Sequence, residues 1–271
     1  MSRLAALRSS RRACPERTAR LPRRLSCPEP SKTHRENPVD YPHSHRFVDE
    51  AILTRRSVRA FLPTPVPREV VEDILDVARR APSGTNIQPW NEVHVLTGVA
   101  KAELSRRILE VFNDPEAVKE HTESYPYYPA EWVSPYVDRR RKIGWDMYGL
   151  LGIGKADRER MHEQTARNFM FFDAPVGFMF TIDSAMRTGS YLDYGMFLQN
   201  IMIAARARGL DTCPQQAFSR FHRVIAEVLE LPPTQTVICG MALGHADPDA
   251  PINRLVTERE PVTSFTRFHG F

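Results

Sequence analysis

The sequence predicts an α+β layered fold, and three observations lead there. Helical and strand-like runs follow one another without the regular βα alternation of a doubly wound sheet. Residues 175–182 and 235–243 are strand-sized and apolar, the second with Val237 and Ile238 side by side. Several longer stretches instead repeat apolar residues at helical spacing.

The folded body begins near residue 46. Residues 1–45 are dominated by Arg, Pro and Ser with few, scattered aliphatics, and read as a disordered or extended basic tail. Near its start this tail is Arg-rich and acid-poor, like an organelle transit peptide, although Pro15, Pro22, Pro28 and Pro30 interrupt any long amphipathic helix. A flexible tail, or a start codon assigned too early, are the rival readings. Residues 46–54 form a first helix, with Phe47, Val48, Ala51 and Ile52 as its apolar positions. Pro63, Pro65 and Pro67 force a turn. Pro67 suits the first position of a helix over 67–80, where Val70, Val71, Ile74, Leu75 and Ala78 recur at helical spacing. That helix ends at Ala81-Pro82. The loop 82–90 leads into a strand around Val93 and Val95, and Leu104, Ile108 and Val111 mark the next helix.

Residues 113–160 are an excursion of a different kind. Tyr125, Tyr127, Tyr128, Trp132, Tyr136, Trp145 and Tyr148 concentrate here beside Arg139, Arg140, Arg141 and Lys142. A substrate lid and a peripheral packing arm both fit such a segment. After the strand 175–182 comes a long helix over 190–208, whose Leu198, Ile201, Met202 and Ala205 need burial, with Gly209 placed to end it. A loop at Cys213-Pro214-Gln215-Gln216, a helix through Phe221, Val224, Ile225, Val228 and Leu229, the strand 235–243 and an irregular, partly basic stretch over 253–271 complete the chain.

Totals narrow the function classes. The 271 residues, 42% of them hydrophobic, suffice for one large domain or two small ones. The formal net charge is +4, but residues 1–40 hold ten Lys/Arg and four Asp/Glu, so the remainder carries −2. Charge therefore gives no support to nucleic-acid binding by the body. No apolar run approaches the roughly 20 residues needed to span a bilayer. Cys14, Cys27, Cys213 and Cys239 show no metal-binding spacing, and reduced thiols in a reducing compartment are the simplest reading. A cytoplasmic location is expected, with organelle targeting by the Arg-rich N-terminus as the alternative.

Two stretches carry chemistry. Arg55-Arg56-Ser57-Val58-Arg59-Ala60-Phe61 sets three guanidiniums and a hydroxyl in five positions directly after a helix. Guanidinium forks match phosphate oxygens, and the hydroxyl adds a donor; a solvated charge cluster at a helix end is the competing reading. In the loop Pro82-Ser83-Gly84-Thr85-Asn86-Ile87-Gln88-Pro89-Trp90, Ser83 and Gly84 offer backbone N–H groups, Asn86 and Gln88 both donors and acceptors, and Trp90 an apolar wall. An aromatic heterocycle with polar edges would suit it; an ordinary proline-bounded turn competes.

With two later runs, Gly209-Leu210-Asp211-Thr212-Cys213-Pro214-Gln215-Gln216 and Asn253-Arg254-Leu255-Val256-Thr257-Glu258-Arg259-Glu260-Pro261, these stretches resemble the FMN-dependent nitroreductase family, in the expected order over about residues 46–262. The excursion at 125–148 is similar to that of a subgroup acting on nitroaromatic compounds. The resemblance implies a nitroreductase-like α/β sandwich, its central, mostly antiparallel sheet flanked by helices. It also implies an obligate homodimer with FMN at two interface sites. By the same resemblance Arg55, Ser57 and Arg59 hold the phosphate and ribityl chain, and Arg56 contributes mainly backbone. Pro82, Ser83, Gly84 and Asn86 come from the other subunit, Pro214, Gln215 and Gln216 lie along the isoalloxazine, and Arg259 completes the phosphate site. Val256 departs from the pattern, standing where related sequences often carry a basic residue. Tyr127, Tyr128 and Trp132 are expected to meet the substrate, and Arg139 to Lys142 to favour anionic acceptors. No catalytic side chain is expected; His94 and His222 read as structural or solvated. The implied reaction is a ping-pong transfer of electrons from NADH or NADPH to a nitroaromatic or quinone. Reductive dehalogenation or another flavin reduction on the same fold, a non-enzymatic flavin-binding protein and a basic-tailed nucleic-acid binder are the alternatives.

Overall fold

A computed structural model describes residues 41–271, so the expected tail, up to residue 40, lies outside the described residues. Helix α1 (Tyr41–Thr54) starts earlier than residue 46 and delivers the chain into the arginine stretch. Helix α2 (Arg68–Ala78) follows, with Pro67 at its N-cap rather than inside it. Strand β1 (Glu92–Leu96), helix α3 (Gly98–Asn113), helix α4 (Tyr136–Leu150) and helix α5 (Arg158–Ala166) come next. Strand β2 (Val176–Asp183), helix α6 (Thr188–Arg206), strand β3 (Asp211–Gln215), helix α7 (His222–Val228), strand β4 (Gln235–Gly244) and a short helix α8 (Val262–Phe265) complete the order.

The sheet is antiparallel throughout, in the order β1-β2-β4-β3. β2 and β4 are apolar on both sides because both faces of the sheet are covered. Val176, Phe178, Phe180 and Ile182 of β2 meet Val71 and Ile74 of α2 and Tyr194, Phe197 and Ile201 of α6. Met179 and Ala242, on the opposite face, join Leu104 and Ile108 of α3, Val224 and Ile225 of α7, and a run of phenylalanines. Gly177 and Gly240 admit those rings. A Cβ on Gly177 would stand 2.6 Å from the Phe171 ring, and one on Gly240 would overlap the Phe218 ring.

One expectation is corrected. The sequence places a loop at 213–216, whereas Asp211–Gln215 is β3, paired with β4 from Asp211↔Gly244 to Gln215↔Gly240. Its Thr212, Cys213 and Gln215 are buried, and the long apolar β4 supplies the template. Pro214 lacks an N–H and is tolerated because β3 is the edge strand. Outside β3, the Val58 N–H donates to Thr212 O at 3.1 Å, which docks the arginine stretch against this edge.

α6 ends as expected. Gly209 adopts φ +73°, and the Leu210 N–H donates to Ala205 O at 3.0 Å. The excursion holds α4, of which no described residue is buried, and α5 closes it. The stretch after 253 is more anchored than its composition indicates. The Asn253 side chain accepts from the Arg59 N–H (2.9 Å) and donates to Ala60 O (2.8 Å) and Asp247 O (2.9 Å). This buried carboxamide joins the C-terminal segment to the arginine stretch across almost the whole chain.

Candidate active site

Arg55, Arg56 and Arg259 line one cavity of about 560 Å³, together with Arg206, Leu255, Val256 and Thr257. An adjoining cavity of about 430 Å³ is lined by Ser57, Arg259, Thr257 and the α4 residues Arg139, Arg140 and Lys142. Arg259 is common to both, so the two arginine-bearing motifs meet in space. Burial lowers the pKa of the Arg55 guanidinium, and the nearby Arg259 charge lowers it further. Among the described residues, none of Arg55, Arg56, Arg59 and Arg259 is paired with a carboxylate, while Arg68, Arg79, Arg106 and Arg107 are. Converging, unneutralised guanidiniums with the Ser57 and Thr257 hydroxyls beside them make a donor set suited to a phosphate dianion.

Arg59 is placed differently. Its guanidinium donates back to Ser57 O at 3.2 Å, beside the buried Cys213. Burial pushes the Cys213 thiol up to about 11 against the opposing pull of Arg59, a hydrogen bond from Ser57 and Arg55. It is a neutral packing group under the arginines, not a nucleophile. Arg206 was not singled out from sequence. Its Nε donates to Thr54 Oγ1 at 2.9 Å and its Nη1 to Asp211 at 3.2 Å, so the last turn of α6 braces the arginine stretch. Val256, the departure from the family pattern, lines both cavities with Arg206 and Arg259 close by.

The loop 82–90 stands elsewhere. Thr85, Asn86 and Gln88 adopt positive φ, at 49°, 59° and 51°. The Gly84 N–H donates to Asp193 Oδ2 at 3.0 Å and the Gln88 N–H to Ser83 Oγ at 3.0 Å. The Gly84 amide expected to face a ligand is thus engaged within the chain, while Pro82 and Asn86 remain exposed. Asp193 and Arg206 lie thirteen positions apart on α6, so the loop and the arginine cavity are separated by about 20 Å along that helix.

Pro214 is exposed on the β3 edge, and Gln215 is buried. The Gln215 Nε2 donates to Asn168 O at 2.6 Å, and its Oε1 has no partner. Gln216 Nε2 donates to Ser219 Oγ at 3.0 Å, and its Oε1 lies 3.1 Å from the Tyr125 hydroxyl. That hydroxyl is also 3.1 Å from Ile238 O, and its single proton serves one acceptor at a time. Burial raises the Tyr125 pKa, keeping the hydroxyl protonated. Tyr125 therefore fastens the root of the excursion to the turn after β3, a role invisible in a run of seven aromatic residues.

Further along, the exposed Tyr127 and Tyr128 and the half-buried Trp132 form one cluster, with ring centroids 4.7 and 5.2 Å apart. Arg140 lies over Trp132 at 4.6 Å. Two of the four residues of the expected basic patch, Arg139 and Lys142, are paired with carboxylates. Arg139 pairs with Glu260 at 2.8 Å, and Lys142 with Asp146 at 2.7 Å and Glu258 at 3.5 Å. His94 lies 3.3 Å from Glu92, and burial first, then Arg223 and His121, lowers the His222 pKa.

The chain is similar to known proteins over most of its length. A family model described as the nitroreductase family matches residues 52–245. A 4-nitrobenzoate reductase of Pseudomonas putida is 45% identical over 223 residues, covering 82% of this chain and 96% of its own length. A nitrobenzene nitroreductase of Ectopseudomonas oleovorans is 40% identical over the same shares. Among solved structures, the FMN and NADPH-dependent nitroreductase NfnB of Sphigopyxis sp. strain HMH superimposes with a TM-score of 0.79 at 32% identity, over 83% of this chain and 99% of the other. The NfnB of Mycobacterium smegmatis, solved in complex with NADPH, gives 0.78 at 27% identity, again over 83% and 99%.

Proposed function

The chain belongs to the nitroreductase family, and we propose from that premise that it is an NAD(P)H-dependent FMN nitroreductase reducing nitroaromatic compounds, with quinones as further acceptors. The observation that carries the reading is the convergence of Arg55, Arg56 and Arg259 on one cavity without a carboxylate partner among the described residues. FMN supplies two-electron chemistry between a reduced nicotinamide and a nitro group.

The protein's part is binding, orientation and exclusion of water. Arg55, Arg56 and Arg259 neutralise the phosphate, and Ser57 and Thr257 add hydroxyl donors. Arg59 supports Ser57 from behind. Pro214, Gln215 and Gln216 present backbone to the ring system, their side chains held away by Asn168, Ser219 and Tyr125. The cluster of Tyr127, Tyr128 and Trp132 offers flat apolar walls to a flat acceptor. No side chain is assigned as an acid or base. The kinetic order is ping-pong, the oxidised nicotinamide leaving before the acceptor enters.

A homodimer supports this reading better than a single chain. Loop 82–90 and the arginine cavity stand at opposite ends of α6, so one ligand touching both draws on two copies, with Pro82, Ser83, Gly84 and Asn86 from the second. Phe47, Val48, Ile52 and Leu53 of α1 and Phe265, Phe268 and Phe271 at the C-terminal end are exposed, as interface residues are before association. Among the described residues no helix is long and apolar enough to cross a membrane. The free, buried thiols of Cys213 and Cys239 suit a reducing cytoplasm. The expected tail is proposed to lie outside the catalytic body as far as residue 40, since residues 41–45 belong to α1.

The test is a steady-state screen of nitrobenzoates, nitrobenzenes and quinones with NADH and NADPH on the FMN-loaded protein. Nitroarene consumption coupled to nicotinamide oxidation is expected. Loaded protein that oxidises neither nicotinamide with any of these acceptors would overturn the assignment.

A further inference from the structure

Arg259 sits between two glutamates, and each neighbour is tied to the same helix. Glu260 Oε1 accepts from Arg139 at 2.8 Å, and Glu258 Oε1 lies 3.5 Å from the Lys142 ammonium. Arg139 and Lys142 are on α4, one turn apart on one face. Residues 256–260 carry no helix or turn. Glu258 and Glu260 pair with α4, while Arg259 lies near Arg55 and lines both the arginine cavity and the adjoining one that α4 walls. Thr257 Oγ1 then takes a bond from Arg259 at 2.6 Å and limits where the guanidinium points.

The helix on the other side of this contact is otherwise held by packing on residues 251–254 and by Arg160 at its C-terminal end. No described residue of α4 is buried, so it does not dock through the core. Segment 256–260 is likewise exposed, and the last buried anchors before it are Asn253 and Leu255. Two weakly fastened elements are therefore fastened to each other, at the point where the phosphate-facing Arg259 leaves the chain.

We propose that Arg139 and Lys142 of α4, paired with Glu260 and Glu258, form a clasp that positions Arg259 in the phosphate grip, so that α4 controls cofactor retention through Arg259. Arg139 and Lys142 are positioning residues in this scheme. The proposal rests on the reading that Arg55, Arg56 and Arg259 hold a phosphate. It also joins the excursion mechanically to the cofactor site, because α4 continues from the segment bearing Tyr127, Tyr128 and Trp132.

The test follows the rate at which FMN leaves the loaded full-length protein on dilution, read by recovery of flavin fluorescence, for R139E, E260R and the R139E/E260R exchange. Exposed ion pairs are individually weak, so about threefold faster release is expected for each single reversal, where like charges face each other. The exchange restores an opposite-charge pair and should return to within about twofold of the parent rate. The sign for E260R separates a clasp from a general field effect. Adding positive charge near a phosphate would slow release, whereas a broken clasp speeds it. Slower or unchanged release from E260R, or an exchange that releases FMN as fast as the single variants, would overturn the proposal. R55A serves as the control on the underlying reading: faster release supports the phosphate assignment, and unchanged release removes that assignment and the clasp with it.

Discussion

Asp193 on α6 accepts the Gly84 N–H at 3.0 Å, and that bond ties loop 82–88 to the longest helix of the fold. The loop needs the tie, because Thr85, Asn86 and Gln88 hold left-handed backbone at a cost of about 1 kcal/mol or more each. Removing the carboxylate in Asp193→Ala should let the loop relax. A charge-assisted bond contributes more than a neutral one, but this one is solvent-exposed, so about 1 kcal/mol is expected, or roughly fivefold weaker FMN binding. Titration of apoprotein with FMN checks this, and unchanged affinity would show that the loop does not meet the flavin.

The separation of that loop from the arginine cavity along α6 predicts complementation. Arg55→Ala and Asn86→Ala chains should each bind FMN poorly as pure dimers. In a mixed dimer one site gathers both defects and the other gathers none. Co-expressed chains carrying different tags, purified through both, should therefore hold about half the flavin of the parent protein at limiting FMN. Mixed dimers as empty as the pure variants would place each whole site within one chain.

How far the sequence reached depends on which physical signals are local. The helical spacing of Val71, Ile74 and Ala78, the apolarity of 175–182 and the Gly209 stop are local, and each element stands where the pattern puts it. β3 was not legible, because Asp211, Pro214 and Gln215 are poor strand formers that pair only because β4 offers a free apolar edge. The convergence of Arg55 with Arg259 was accessible only through resemblance. Its cause, the Asn253 carboxamide bridging Ala60 and Asp247, is long-range and has no periodicity. The ion pairs that neutralise Arg139 and Lys142 were hidden for the same reason, and the basic patch expected from composition is therefore weaker than its residue count.

The aromatic cluster predicts a split between half-reactions. Trp132 packs at a tilt against Tyr128 and carries Arg140 over its ring, so Trp132→Ala removes a wall and frees a cation. Aromatic stacking contributes about 0.5–1.5 kcal/mol, so Trp132→Ala and Tyr128→Ala should each raise the acceptor KM by roughly two- to tenfold. Flavin reduction by NAD(P)H should change less. Both half-reactions unaffected in stopped-flow would make the segment a packing arm.

His121 and His222 predict a pH dependence of stability. Burial and the nearby Arg223 lower both pKa values below the ordinary histidine value, with Arg220 also acting on His121. The unfolded chain then binds more protons than the folded one as pH falls below about 6.5, so stability declines through that window and levels off once the folded histidines are protonated. Urea midpoints from pH 8 to pH 5 should fall, and a His121→Gln/His222→Gln variant should show a shallower slope. An equal slope in that variant would assign the decline to other groups.

The most direct measurement of the central claim follows the flavin itself, anaerobically, in the protein loaded with FMN. One equivalent of NADPH or NADH should bleach the blue absorption band in a first mixing, and a nitroaromatic acid such as 4-nitrobenzoate should restore it in a second, with no reduced nicotinamide left. Bleaching and recovery in separate steps are what a ping-pong nitroreductase requires. A protein that takes up no FMN, or whose reduced flavin persists unchanged in the presence of every nitroarene tried, would contradict the account.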